Sequence, residues 1–326
     1  MNNYAVTATP NHDIPVEQTP PIVGHMTNTD ACVQWSTDGT DSVFWGSGRV
    51  VDFLPSGLYR ASISDRIGPH LVKQIISTDD LIELDDSESL KVIEEIERFW
   101  ELKEQFTSRG LLHKRGILMS GDPGSGKTST IQLLISKVIA RNGIAIYPDG
   151  SPRVTAEVLQ MVRRIERTKP ICLILEDFEV LVQRGSNESE WLSILDGESQ
   201  VDNIVFLAST NYISRLDKRF IDRPSRFDNI RFVTMPSRAM RKQYIVKLEP
   251  TISEDQLEEW LDHSDGMSIA HIKELIVSVN VFGYPLDHTL ERLNAMRERK
   301  YDEEQNLAGT PHEKRSVGFM GVSKYR

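Results

Sequence analysis

The sequence predicts an α/β fold: a parallel sheet flanked by helices, preceded by a small β-rich region and followed by a small all-helical segment. Three observations carry that prediction. Four short apolar runs, 117–120, 144–147, 171–175 and 204–208, are separated by helix-patterned sequence. Their apolar character is continuous rather than alternating, so both strand faces are covered, as in a parallel sheet. The first run enters Gly121-Asp-Pro-Gly-Ser-Gly-Lys-Thr128, which fits the phosphate-loop pattern G-x-x-x-x-G-K-[ST], and a helix pattern (Ile131, Leu134, Ile135, Val138) leaves it. After Pro236 the apolar spacing becomes helical throughout.

Taken in order, residues 1–40 are rich in Thr, Asn and Pro and poor in periodic apolar residues, which predicts a disordered tail. Residues 41–84 alternate short β-type runs (Ser42–Trp45, Val50-Val51, Gly57–Arg60, Leu71-Val72) with Gly and Pro turn signals, which predicts a small β-rich region. Leu90, Ile93, Ile96, Phe99, Trp100 and Phe106 recur at helical spacing, predicting one amphipathic helix over 88–109. The α/β core then spans 85–236, with Phe232-Val233 as a fifth strand. In the helical segment, 237–297, Ser253-Glu-Asp-Gln256 is a capping box ahead of Leu257, Trp260 and Leu261. Apolar stripes at Ile269, Ile272, Leu275, Ile276 and at Leu286, Leu290, Leu293 complete it. Residues 298–326 are mixed-charge and are expected to be flexible.

Composition narrows the function. A formal charge of −10 argues against a protein that lives on a nucleic-acid backbone. No apolar run approaches the roughly 20 residues that span a bilayer. The first Lys or Arg is Arg49, so neither a secretory leader nor a mitochondrial presequence is expected. Two cysteines, Cys32 and Cys172, fit a reducing, cytoplasmic setting, with Cys172 a small core residue in an apolar strand. No H-E-x-x-H or paired Cys-x-x-Cys is present to hold zinc.

The phosphate loop supplies the first candidate site. Gly121, Asp122, Pro123, Gly124, Ser125 and Gly126 form the turn, and Lys127, Thr128 and Ser129 open the helix. Backbone N–H groups and the helix N-terminus favour phosphate there. Lys127 can reach the β- and γ-phosphates, and the Thr128 hydroxyl can ligate Mg²⁺. The third strand delivers Glu176 and Asp177 at its C-terminal end, where Mg²⁺ and an attacking water must be placed; an acidic helix cap is the bland alternative. The fourth strand ends in Ser209-Thr-Asn211, a polar group able to orient water, or a plain turn. Arg223 and Arg226 flank a Pro-Ser turn; they can neutralise charge on a transferring phosphoryl group or sit solvated on the surface.

Together these pieces resemble an AAA-type ATPase of the AAA+ superfamily, over roughly residues 85–297. The resemblance rests on Arg115-Gly116 through Lys127-Thr128, the Leu173–Glu179 segment, Leu192-Ser-Ile-Leu-Asp196-Gly197, Ser209-Thr-Asn211, Arg223-Pro-Ser-Arg226-Phe-Asp, and Gly266-Met-Ser268-Ile-Ala270. It implies a P-loop NTPase sheet with a small helical AAA+ lid, and ATP and Mg²⁺ as cofactors. Thr128 and Glu176 would hold the metal, Asp177 would polarise water, and Asn211 would sense the γ-phosphate. Arg226, with Arg223, would reach a neighbouring copy's nucleotide. The implied assembly is a homo-oligomeric, hexameric ring acting on a protein substrate or adaptor.

Two features depart from the family. The acids run Glu then Asp, so the water-polarising group is one methylene short, and Glu176 is the alternative base. The region Tyr147–Arg153 holds no aromatic–hydrophobic pore pair; Tyr147 is read as a strand end and Trp191 as a helix core contact. Two function classes stay open: an ATP-hydrolysing remodeller of proteins, and a nucleotide-switched scaffold with little turnover. A small-molecule kinase would need neither Arg223 and Arg226 nor the helical lid.

Overall fold

The computed structural model describes residues 35–37, 42–45, 49–51, 53–65, 67–76, 81–84, 88–183, 187–197 and 201–308, with backbone alone at 35–51 and 298–308. The predicted N-terminal tail to residue 34, with Cys32, and the tail from 309 lie outside the described residues. So do positions 184–186 and 198–200.

Six parallel strands make the core sheet. Across it run β10 (Asn229–Phe232), β6 (Lys114–Ser120), β9 (Ile204–Thr210), β8 (Ile171–Leu175), β7 (Ile144–Tyr147) and β4 (Gly57–Ser64). All seven residues of β9 and all five of β8 are buried, as continuous apolar runs demand. On one face lie α1 (Glu88–Glu101) and α3 (Lys127–Ala140), burying Val92, Ile96, Ile131, Leu134 and Val138 against the sheet. On the other lie α4 (Pro152–Ile165), α5 (Phe178–Gln183) and α6 (Glu188–Asp196), with Val158, Phe178 and Trp191 at their core. Trp191 is fully buried and meets Phe178 edge-on, so it is a packing residue and no pore group. Cys172 is likewise buried, and burial pushes its thiol up to about 12.

The N-terminal β-rich region is not a sheet of its own. β4 hydrogen-bonds in parallel to β7, pairing Gly57 with Ile144 and Arg60 with Tyr147. β5 (Gly68–Gln74) then pairs antiparallel to β4, and β2 (Ser42–Trp45), β1 (Trp35–Thr37) and β3 (Arg49–Val51) follow antiparallel, for ten strands in one sheet. β1 falls inside the segment read from sequence as tail. The physical reason is burial on both faces: Leu58 joins the α1–α3 side, while Tyr59 and Ala61 join the α4–α6 side. Glu166 and Lys169, at and after the end of α4, also clamp the approach to β4. Glu166 accepts from the Leu54 N–H, and the Lys169 ammonium donates to the Leu54 carbonyl at 2.6 Å.

The predicted single helix over 88–109 is broken at Leu102 into α1 and α2 (Lys103–Thr107). Phe99 of α1 stacks on the buried His113 ring at 3.9 Å, and Phe106 of α2 meets the same ring edge-on at 5.0 Å. Beyond α7 (Lys218–Ile221), the lid comprises α8 (Arg238–Leu248), α9 (Glu254–His263), α10 (Ile269–Ile276) and α11 (Leu286–Ala308) around Tyr244, Trp260, Met267 and Leu275. Ser253 caps α9 by accepting from the Gln256 N–H at 3.3 Å, as its capping box predicts. α11 continues to Ala308, past the boundary at residue 297 where a flexible tail was expected. Among the described residues, no helix is long and apolar enough to cross a membrane.

Because β4 is a strand of the core sheet, damage to it must be felt throughout. Tyr59 is fully buried and its hydroxyl donates to the Pro55 carbonyl at 2.7 Å. Tyr59→Ala is expected to destabilise the whole α/β core by about 3–5 kcal/mol, the usual cost of emptying an aromatic site. Urea denaturation followed by tryptophan fluorescence checks this; an unchanged core transition would mean the N-terminal strands fold as a separate unit.

Candidate functional site

The site is built by three strand ends. β6, β9 and β8 run parallel in register, Ser120 opposite Thr210 and Leu175 opposite Ala208. Their C-terminal ends therefore open on one edge, at the place where parallel α/β sheets bind ligands.

From β6 the chain enters the Gly121–Gly126 loop and then α3. Gly126 adopts φ +107°, a left-handed conformation that costs a side-chain-bearing residue dearly, and it leads directly into Lys127. Lys127 is 7% exposed, and its ammonium donates to the loop carbonyls of Gly121 and, at 2.9 Å, Asp122. Burial lowers its pKa, and the carboxylates of Asp122, Asp177 and Glu179 pull the other way. A cation is thus held inside the curl of the loop, where phosphate oxygens would lie.

From β8 come the acids. The Glu176 Oε2 accepts from the Tyr147 hydroxyl at 3.0 Å. Asp177 sits at φ +46°, a strained backbone for a non-glycine residue and of the kind that collects at functional sites. Its Oδ1 accepts from the Asn211 side-chain amide at 3.1 Å. Two sequence-predicted residues from different strands, Asp177 and Asn211, are therefore in direct contact. Glu179 received no role from sequence, although it was visible as a third acid two residues on. It is 2% exposed and accepts from the Asn211 backbone N–H at 3.2 Å, locking the β9 turn to the acidic segment.

Lys127, Thr128, Asp177 and Asn211 line one cavity of about 560 Å³, within the usual range for small-molecule sites. Gly124, Ser125, Gly126 and Ser129 line it too. An apolar wall is formed by Leu84, by Leu90 and Ile93 of α1, and by Met240, Tyr244 and Ile269 of the lid. A polar, cation-bearing floor under an apolar slot suits a phosphorylated aromatic base. Ala270 also lines the slot, and Ser268 caps α10 through the His271 N–H beside Gly124, bringing the lid motif to the loop.

Mg²⁺ fits this donor set. Among the described residues no three His, Cys, Asp or Glu side chains gather into a cage. Thr128, which lines the cavity, and Glu176, which follows β8 just outside that lining, offer one hydroxyl and one carboxylate to a cation that would complete its shell with phosphate and water. One buried carboxylate oxygen, Glu179 Oε2, also has no protein partner, as a water-bearing polar site would require.

The arginine pair divides, and Arg226 differs from expectation. Arg226 is 6% exposed and forms a bidentate pair with Asp196 of α6, Nε to Oδ1 at 2.9 Å and Nη2 to Oδ2 at 2.8 Å. Its third nitrogen donates to the Arg219 carbonyl. A guanidinium so committed within its own chain anchors this turn to α6. Arg223 instead has a side chain 64% exposed, with Nη1 only loosely placed 3.7 Å from Asp196. The same loop lies directly on β6: Asp228 accepts from the Gly116 N–H at 2.7 Å, and any Cβ at Gly116 would collide with the Arg226 carbonyl. That contact explains why glycine stands there.

Fold and site define a P-loop nucleoside-triphosphate-binding protein. Residues 117–235 match the family model described as "ATPase family associated with various cellular activities (AAA)". Residues 117–235 are thus similar to an AAA-type ATPase domain. It is 30% identical over 216 residues to the human "ATPase family gene 2 protein homolog A", covering 57% of this chain and 23% of that protein. It is 26% identical over 224 residues to the "Proteasome-activating nucleotidase" of Methanosarcina mazei, covering 60% and 51%. Against the "ATP-dependent zinc metalloprotease FtsH" of Akkermansia muciniphila, identity is 26% over 212 residues, covering 57% and 26%. The chain thus spans from about a quarter to about half the length of these relatives.

The two arginines give opposite expectations. Hydrogen bonding and charge from Arg226 hold the Asp196 carboxyl below its ordinary value of 3.8. The pair's stabilisation is complete above that value and is lost as pH falls through the depressed one. Arg226→Ala leaves Asp196 half-buried without its partner and is expected to cost about 2–4 kcal/mol near neutral pH. Arg223→Ala should stay within about 0.5 kcal/mol of wild type. Chemical denaturation of the dilute protein checks both, and equal losses from the two variants would contradict the division.

Proposed function

We propose that this chain binds ATP with Mg²⁺, hydrolyses it in a homo-oligomeric ring, and uses the cycle to remodel a protein partner. The observation that carries the reading is the Asp177–Asn211 contact at 3.1 Å on the wall of the cavity floored by Lys127. It sets an acid and a polar sensor together beside a phosphate cradle.

In this reading the loop amides and the Lys127 ammonium grip the β- and γ-phosphates. Thr128 and Glu176 hold the metal, which when bound neutralises charge building on the phosphoryl oxygens. Asp177 accepts the proton of the attacking water, and Asn211 orients that water towards the γ-phosphate. The apolar slot under Tyr244 takes the base, so that the lid follows nucleotide state. Arg223, exposed on a loop braced by Arg226–Asp196 and Gly116–Asp228, reaches the next copy's phosphate. That role makes assembly part of catalysis. The names of two relatives, an ATP-dependent zinc metalloprotease and a proteasome-activating nucleotidase, support a protein as the partner.

A second reading, a nucleotide-switched scaffold with little turnover, draws on Asp177 itself. Its carboxylate is a methylene short of glutamate and already engaged by Asn211. Misplacement by about 1 Å can cost on the order of 10²-fold in rate.

Steady-state ATP hydrolysis measured across protein concentration separates the two. The remodeller is expected to show turnover per subunit that rises with assembly. Lys127→Ala and Arg223→Ala should each abolish that rise, with Asp177→Asn lowering the rate by about 10²-fold or more. Turnover equal to that of Lys127→Ala at assembled concentrations would favour the scaffold, and an unimpaired Asp177→Asn would move the base role to Glu176.

A further inference from the structure

Glu176 is reached from an unexpected direction. β4 lies outside the matched AAA segment, yet its pairing with β7 sets Arg60 opposite Tyr147. The Arg60 guanidinium carbon stands 5.6 Å from the centre of the Tyr147 ring, a cation–π distance. At its other end, the same ring donates its hydroxyl to Glu176 Oε2 at 3.0 Å. Arg60 and Tyr147 also line a second cavity of about 230 Å³, shared with Gln74 of β5 and Gln132 of α3. The pair is therefore open on one side, while the Tyr147 ring also packs against the core on the α1–α3 face.

From this chain of contacts we propose that Tyr147 is a positioning residue for Glu176, held by Arg60, so that the β4–β5 hairpin governs how Glu176 presents its carboxylate to the nucleotide-bound metal. The proposal rests on the reading of Glu176 as a metal-holding acid. Tyr147 leaves one carboxylate oxygen free and fixes the plane in which it lies. A displacement of β4, the strand nearest the N-terminal strands, is transmitted through two contacts to the catalytic edge. Tyr147 thereby acquires a task in place of the pore contact for which the β7–α4 turn offers no aromatic pair.

The test titrates Mg²⁺ into the full chain with a fluorescent ATP analogue and reads the Mg²⁺ concentration that half-saturates metal-promoted binding, which needs no turnover. Tyr147→Phe removes only the hydroxyl. It is expected to raise that concentration about tenfold, the scale of one hydrogen bond to a charged group. Affinity for the analogue in excess chelator should stay within about twofold, and the melting temperature within about 3 °C, because the ring still fills its place. Arg60→Gln is expected to move the half-saturation the same way by about threefold. A Tyr147→Phe protein with wild-type Mg²⁺ dependence overturns the proposal. So does one that loses analogue binding in chelator or melts much lower, since a merely structural role would do that. An unshifted Arg60→Gln overturns the hairpin's part in it. Wild-type binding that ignores Mg²⁺ altogether would instead contradict the metal role of Glu176, a different failure from either.

Discussion

The parallel register of β6, β9 and β8 is the constraint on which everything else depends. Hydrogen bonding pairs Leu118 with Ala208 and Leu175 with the same Ala208, so the three strands end within two residues of one another. Residues separated by dozens of positions, Lys127, Asp177 and Asn211, are then delivered to one edge by backbone geometry alone. A slip of one residue in any of these strands would turn every side chain to the opposite face. With both faces covered by helices, such a slip would bury polar groups and is strongly disfavoured.

At both ends of the sheet the chain uses charged side chains to fix its loops. Glu179 ties the β9 turn, Arg226 and Asp196 tie the turn before β10, and Asp228 ties the same turn to β6. Each is a charged group engaged by a directional partner, which makes the geometry specific even where its net contribution to stability is modest. The exposed Arg223 rides on the most heavily braced of these loops.

Much of this was legible in sequence, and the reasons are local. The phosphate loop is a fixed string with a mechanism attached to each position, and fully buried strands announce themselves as unbroken apolar runs. Lid helix caps such as Ser253 are visible because capping involves residues three apart. What was not legible depends on long-range placement. Gly57–Ser64 reads as any short β segment, and nothing in it says that its partner is Ile144–Tyr147, far along the chain. Arg226 belongs to a recognisable string, but its residue type does not reveal that Asp196, thirty positions earlier, holds it bidentately. The break at Leu102 follows from two phenylalanines sharing one histidine ring, a tertiary contact that helical periodicity does not encode.

The most direct measurement is a crystal structure of the chain with Mg²⁺ and a non-hydrolysable ATP analogue. The account predicts a triphosphate curled in the Gly121–Gly126 loop, with the Lys127 ammonium turned from the Gly121 and Asp122 carbonyls onto phosphate oxygens, and Asp177 and Asn211 flanking the terminal phosphate. A nucleotide bound elsewhere, or a Lys127 still donating to its own loop with the analogue present, would contradict it.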